Sequence, residues 1–161
     1  MKILYSVGTL LVACSIAAQS SAVARGSLAT ENPFAAEHID ALPSDIRRAV
    51  AQRERACRGN SAAGHYFSVS IDASGRRFIA LHFENFYCPG RRAAVCNATG
   101  CVHEVFVETQ GRQTRVLELR ADEIKMTNAG GIAGLEVTRG GIKTWLKWNG
   151  RQFVNTNRNG F

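Results

Sequence analysis

Three residue types in this chain can do chemistry at close range: the 4 histidines, the carboxylates that alternate with two of them, and the 5 cysteines. They concentrate in residues 78–107. On an extended strand successive side chains point to opposite faces. His82 and Glu84 therefore share the mixed face of one strand candidate with Phe78 and Ala80, while Ile79, Leu81 and Phe83 form its aliphatic face. In a second candidate Glu104 falls with Val102, Phe106 and Glu108, and His103 falls with Val105 and Val107. If a strand starting at His65 pairs with the first, and the second pairs with it in turn, then Tyr66, His82, Glu84 and Glu104 gather on one sheet face. Histidine, tyrosine and carboxylates at such range suit a metal site or a general acid–base pair. They equally suit a half-exposed face, where opposite charges and aromatic rings stand across from one another. These four residues are taken as a candidate binding face; no residue is assigned as catalytic, and no metal or cofactor is expected. His103 fits a packed histidine with one hydrogen bond, and His38 and His65 show no evident partner.

The cysteines point to a compartment. Cys14 lies in an apolar leader, which leaves Cys57, Cys88, Cys96 and Cys101, an even set that in an exported chain forms a disulfide framework. Their spacings fit no zinc finger or ribbon. Four cysteines allow three pairings. Cys57 ends a helix near the sheet edge that Cys88 leaves, and only Asn97–Gly100 separates Cys96 from Cys101, so the expected bridges are Cys57 with Cys88 and Cys96 with Cys101. A nucleophilic cysteine needs a free thiol of depressed pKa, which such a framework does not leave. Serine elbows, phosphate-binding glycine loops and zinc-binding histidine pairs are missing.

The elements that position these residues follow from pattern. Pro43-Ser44-Asp45 starts a helix, with proline at its first turn and an acid close behind. Ile46, Ala49, Val50, Arg53 and Cys57 give it a narrow apolar stripe that needs a sheet to cover it. Strands are expected at His65–Asp72, from Phe78, from Val102, at Thr114–Leu119, at Ile132–Thr138, at Ile142–Trp148 and at Arg151–Asn155; residues 122–127 are ambiguous. Turns fall at Ala73-Ser74-Gly75, Gln110-Gly111, Gly130-Gly131, Gly140-Gly141 and Asn149-Gly150. The last favours a two-residue type I′ loop that sets Trp148 beside Arg151 and Leu146 beside Phe153. Trp145 and Trp148 occupy opposite faces of their strand. The alternation resembles a sheet covered on one face. The expected fold is α+β, one N-terminal helix packed on an antiparallel sheet of about six or seven short strands, stabilised by disulfides.

Lys2, an uncharged run over residues 3–18, and Ala22-Val23-Ala24 before Arg25 form the pattern of a secretory signal peptide over residues 1–24. Leu11-Val12-Ala13-Cys14 offers a lipoprotein alternative anchored through Cys14. Residues 25–37 are a flexible lead-in and residues 38–161 a single domain. Without residues 1–24 the chain has 137 of its 161 residues, enough for one core. The expected location is the periplasm or the external medium, with no transmembrane segment in the mature chain. The whole chain carries a formal charge of +7, and removal of Lys2 leaves +6. The arginines are dispersed among 13 acidic residues, without a basic run, so no specific nucleic-acid partner is expected. A monomer is assumed.

The helix ending in cysteine (LPSDIRRAVAQRERAC), then GHYF, ALHFENFYC, CNATGCVHEVFV and the closing WNGRQF resemble a set of small exported bacterial proteins over most of the mature chain. The resemblance implies a Cys-ended helix followed by a disulfide-containing sheet, and brings no activity with it. Some similar proteins carry an acidic calcium turn where this chain has Asp72-Ala73-Ser74-Gly75-Arg76-Arg77. Arginines stand here where carboxylates are needed, so calcium is not implied.

Two function classes follow. The first is an exported, non-catalytic binding or accessory module with a protein or envelope partner. The second is a small hydrolase or metal-dependent enzyme working from the His82 and Glu104 face. The first is preferred.

Overall fold

The computed structural model describes residues 33–57, 60–90 and 92–156. The stretch expected to be a signal peptide, with Cys14, and the first part of the expected lead-in lie outside the described residues. In chain order the elements begin with β1 (Phe34–Ala35), α1 (Glu37–Asp40), α2 (Ser44–Glu54), β2 (Ala62–Gly64), β3 (Ser68–Ala73) and β4 (Arg76–His82). After a 3-10 turn at Phe83–Asn85 come β5 (Phe86–Tyr87), α3 (Arg92–Val95), β6 (Cys96–Asn97), β7 (Gly100–Thr109) and β8 (Arg112–Ala121). The chain closes with β9 (Glu123–Ala129), β10 (Ile132–Arg139), β11 (Ile142–Trp148) and β12 (Phe153–Asn155).

β7 is the middle of a five-stranded sheet. β8 pairs with one of its edges; β4 and then β6 pair with the other, and β3 extends the sheet beyond β4. The ladder sets Phe78 against Val107, Ala80 against Val105 and His82 against His103, with Ile79 against Phe106 and Leu81 against Glu104. Since directly paired residues share a face, each strand has two apolar sides. Both are covered. One carries Ile79, Leu81, Val102 and Phe106 into a core with Ile46 and Val50 of α2 and with Phe67, Phe83 and Phe86. The other carries Phe78, Ala80, Val105 and Val107 into a second core with Ile124, Ala133, Leu135, Val137 and Trp148. The expectation of a sheet covered on one face is therefore corrected. Every residue from Phe78 to His82 and from Val102 to Val107 is buried, the continuous run of a doubly covered strand.

A second sheet, in the order β12-β11-β10-β9, supplies that other cover. The chain enters it at a corner: β8 and β9 are separated only by Asp122, whose backbone N–H donates to Thr138 O at 2.9 Å and whose Oδ2 accepts the Gly140 N–H at 2.6 Å. Strands that bend from one sheet into the next close sandwich corners in this way. At the opposite end the Ser74 N–H donates to Gly131 O at 2.6 Å, and Asn128 Nδ2 donates to Asp72 O at 2.8 Å, joining two hairpin tips. The loops Ser74-Gly75, Gln110-Gly111, Gly130-Gly131 and Gly140-Gly141 hold both residues at positive φ. That is the type I′ geometry matched to strand twist.

A third, three-stranded sheet, β1-β2-β5, sits beside the helices. Three sheets and twelve strands among the described residues replace the expected one helix on one sheet. The difference has a plain cause. β1, β5 and β6 are two residues long and β2 is three, too short to show alternation. Regular pairing also starts at Phe34 and Ala35, which lie against Gly64 and Ala63 inside the stretch read as lead-in. At Asn149-Gly150 the ladder pairs Trp148 with Phe153 and Leu146 with Asn155, leaving a four-residue loop instead of the expected two-residue turn. Asn149 Oδ1 accepts the N–H groups of Arg151 and Gln152, at 3.0 and 2.9 Å. This side-chain turn outcompetes the tighter backbone one.

Two disulfides tie the fold together. Cys57, past the end of α2, is bonded to Cys88, past the end of β5; Cys96 of β6 is bonded to Cys101 of β7. These are the two pairs expected from chain proximity. Among the described residues no helix is long and apolar enough to cross a membrane.

Candidate functional site

The four residues read as one face separate into three places. Tyr66 is not on a strand. Ala62–Gly64 form β2 with other partners, so residues 65–67 turn, with the Phe67 N–H donating to Gly64 O at 3.0 Å. The Tyr66 ring is exposed and stands edge-on to His65 at 5.2 Å. Glu104 pairs with Leu81, one residue out of step with His82, and a one-residue step in a strand moves a side chain to the opposite face. His82 and Glu104 thus lie on opposite sides of the central sheet. Glu84 stays with His82.

On the helix side, Glu104 is 1% exposed and its Oε1 collects three donors. Arg53 reaches it from α2 through Nε, at 2.8 Å, and through Nη2; Arg115 reaches it from β8 at 3.0 Å. Arg115 faces this side because of a bulge: Val105 pairs with Leu117 but Phe106 pairs with Arg115, so Val116 is the extra residue. Glu118 completes the group, 2.9 Å from Arg53 and 2.7 Å from Arg115. Partial burial pushes the Glu118 carboxyl up, but the Arg53 hydrogen bond and the charges of Arg53, Arg115 and Arg120 outweigh it and hold it below its usual range. The Arg53 guanidinium also lies 5.1 Å from the Phe83 ring centroid. With Oε1 held by two arginines, Glu104 is a strut between helix and sheet, while its Oε2 is buried without a hydrogen-bond partner among the described residues.

On the other side, His82, Glu84 and His103 converge. The His82 N–H donates to Phe67 O at 2.8 Å, away from β7, so His82 and His103 are a non-hydrogen-bonded pair, the kind whose side chains approach more closely. Their rings are 5.4 Å apart and nearly perpendicular. Glu84 joins them because the chain leaves β4 in a 3-10 turn at Phe83. In an extended strand it would stand about 6.6 Å further along than His82. In the turn its Oε1 lies 3.5 Å from His82 Nδ1 and its Oε2 lies 3.6 Å from His103 Nδ1. His103 is wholly buried, and its Nε2 lies 3.3 Å from Ala121 O. Burial holds the His103 imidazole below its ordinary pKa despite the opposing pull of Glu84. Burial pushes the Glu84 carboxyl up, but His82 and His103 more than offset this and leave it below its usual range. Residue types flagged His82 and Glu84; the register, invisible in the alternation, replaced Glu104 with His103.

The outer face of the second sheet presents a different surface. Trp148 is buried in the second core, whereas Trp145, on the other side of β11, is 43% exposed. The row Trp145, Glu136, Lys125 crosses three strands on this face. Beside it is a hollow of about 320 Å³ lined by Thr127, Ile132, Gly134, Trp145, Lys147 and Thr156 among others. Its floor is Gly134, where a Cβ would lie 2.7 Å from Thr127 Oγ1. Lys143 is paired with Glu136 at 2.7 Å, while Lys125 and Lys147 carry no ion pair among the described residues.

No family model, curated protein or solved structure matches this chain.

Proposed function

We propose that the protein is a non-catalytic binding or accessory module of an oxidising compartment, the cell envelope or the external medium, and that it takes a protein partner on the outer face of its second sheet. The observation that carries this reading is Trp145, exposed on a rigid strand beside a hollow floored by Gly134. A tryptophan with one side against a pocket is the commonest type of interface anchor. Lys147 lines the hollow and Lys125 lies in the same cross-strand row as Trp145, neither ion-paired among the described residues, which suits an acidic rim on the other protein. Two disulfides support the oxidising address. The alternative hydrolase based on His82 and Glu104 lacks support, because the two side chains sit on opposite faces and Glu104 is held by two arginines.

The test uses the protein as bait against a periplasmic or culture-medium fraction, followed by an affinity measurement on the identified partner. Trp145→Ala should weaken that affinity by about 30-fold or more, the size expected of an interface hot spot, while Tyr66→Ala should leave it unchanged. A partner that binds the Trp145 variant as tightly as the parent protein places the interface elsewhere. A turnover abolished by Glu104→Gln in a folded protein replaces the binding reading with an enzymatic one.

A further inference from the structure

His82, Glu84 and His103 offer one ligand atom each, all within 4.8 Å of one another. Among the described residues, Glu84 Oε2 and His103 Nδ1 are buried without a hydrogen-bond partner. Buried polar atoms are nearly always satisfied, so each exception asks for an explanation. The tautomer sharpens the question. Ala121 O can only accept, so His103 Nε2 carries the hydrogen and donates it. In the neutral ring Nδ1 then presents a lone pair, and what it faces at 3.6 Å is a carboxylate oxygen. Two acceptors aimed at each other in a buried site repel unless a positive charge or a bridging donor lies between them.

The spacing identifies the kind of cation. A direct hydrogen bond would need about 2.7–3.2 Å. A tetrahedral ion with bonds of about 2.0–2.2 Å holds its ligand atoms about 3.4 Å apart, close to the 3.5 Å from Glu84 Oε1 to His82 Nδ1 and the 3.6 Å from Glu84 Oε2 to His103 Nδ1. The carbonyl behind His103 has the place that an outer partner takes at histidine metal sites, fixing the tautomer and the ring. Two nitrogens and one oxygen exclude calcium and magnesium as preferred guests and favour a borderline divalent metal.

We propose that His82, Glu84 and His103 form a binding site for a divalent transition metal, zinc first, with the fourth coordination position open on the partly exposed side of Glu84. Both histidines bind through Nδ1. The site lies on the sheet face away from Arg53 and Glu104, and is independent of the Trp145 surface.

Chelator-treated protein titrated with zinc sulfate, followed by calorimetry and by thermal unfolding, tests this. One equivalent should bind and raise the unfolding midpoint as metal concentration rises. Cobalt in place of zinc should give the visible absorption of a four-coordinate ion. Glu84→Gln keeps the side-chain shape and is less exposed to folding failure than His103→Asn; it should weaken binding by more than about 100-fold, beyond the range typical of losing an outer partner. His82→Gln should do the same. Nitrogen-resolved NMR of the parent protein should show the Nδ1 signals of both histidines moving on zinc addition while Nε2 of His103 keeps its proton. Binding unchanged in Glu84→Gln and His82→Gln, or a folded protein that takes up no zinc below millimolar concentration, overturns the site.

Discussion

Glu104 stands directly across from Glu118 on adjacent strands, two carboxylates in register, and both are bridged by the same pair of arginines, Arg53 and Arg115. Like charges directly opposite destabilise a strand pair, so the arrangement depends on its cations. Arg53 comes from α2 and is the better buried of the two, with 22% of its side chain exposed against 46% for Arg115. Arg53→Met should therefore cost about 2–3 kcal/mol, somewhat less than the loss of a sole partner of a buried charge because Arg115 remains. Arg115→Met should cost about 1 kcal/mol or less. Urea unfolding of the two single variants and the double variant measures both, and the double should exceed their sum because Glu104 then loses both described cations. Equal and additive losses would mean that the cluster does not act as a unit.

Acid should act on the same group. Because the folded carboxyl of Glu118 ionises below its ordinary value of 4.5, its contribution is fully present above that value and is lost as pH falls through the lower, folded one. The parent protein should thus lose stability below about pH 4.5, and Glu118→Gln should flatten part of that decline. Arg53, Arg115 and Arg120 supply the opposing charge, and Glu104 faces the group from β7. Added salt should shrink the difference, since Glu118 is partly exposed and screened. Denaturation midpoints at several pH values on both sides of 4.5 check the sign; a Glu118→Gln profile parallel to the parent throughout would remove Glu118 from the acid limb.

Much of this architecture is legible in the sequence where it is local. Ser74-Gly75, Gln110-Gly111, Gly130-Gly131 and Gly140-Gly141 announce their hairpins because few residues tolerate positive φ. Trp145 and Trp148 announce opposite faces because parity within one strand is fixed by covalent geometry. Parity between strands is another matter. Alternation says that Glu104 and His103 face opposite ways, but not which of them joins His82, because the register depends on both cores that sandwich β4 and β7. Each strand has an apolar set on both faces, so either register buries hydrophobic surface. Arg115 was hidden for a related reason: a bulge at Val116 reverses its parity. Tyr66 left its expected strand because Ala62–Gly64, too short and too small to signal, had already paired elsewhere.

The two disulfides should differ in weight. Cys57 and Cys88 are separated by 31 residues, and Cys96 and Cys101 by 5. On the chain-entropy account such loops stabilise by about 3.7 and about 2 kcal/mol respectively. Cys57→Ser with Cys88→Ser should accordingly lower stability more than Cys96→Ser with Cys101→Ser, and amide exchange should rise first in α2, whose end Cys57 fixes to the small sheet. The second pair of substitutions should raise exchange mainly in β6 and the start of β7. The reverse order of stability losses would show that the short loop, and not the long one, carries the constraint.

Gly100 should be the least replaceable glycine in the central sheet. It begins β7 at a φ of +104°, and a Cβ built on it would lie 2.4 Å from Ala121 O. Two penalties therefore coincide: a backbone conformation that side chains rarely adopt, and an overlap with a carbonyl that cannot swing aside, because Ala121 is fully buried. That carbonyl also accepts from His103 Nε2, and Gly100 O accepts from Arg120 at 3.3 Å, so displacing the strand end disturbs both contacts. Gly111 is the matched control. Its φ is +75°, and nothing lies within 4 Å of the position its Cβ would take. Gly111→Ala should cost about 1–2 kcal/mol, the conformational term alone, whereas Gly100→Ala should reach about 4 kcal/mol or more, the range reserved for severe steric faults. Paired urea titrations measure the difference. Equal losses at the two positions would mean that the Ala121 carbonyl yields to the added methyl, and so holds His103 less firmly as well.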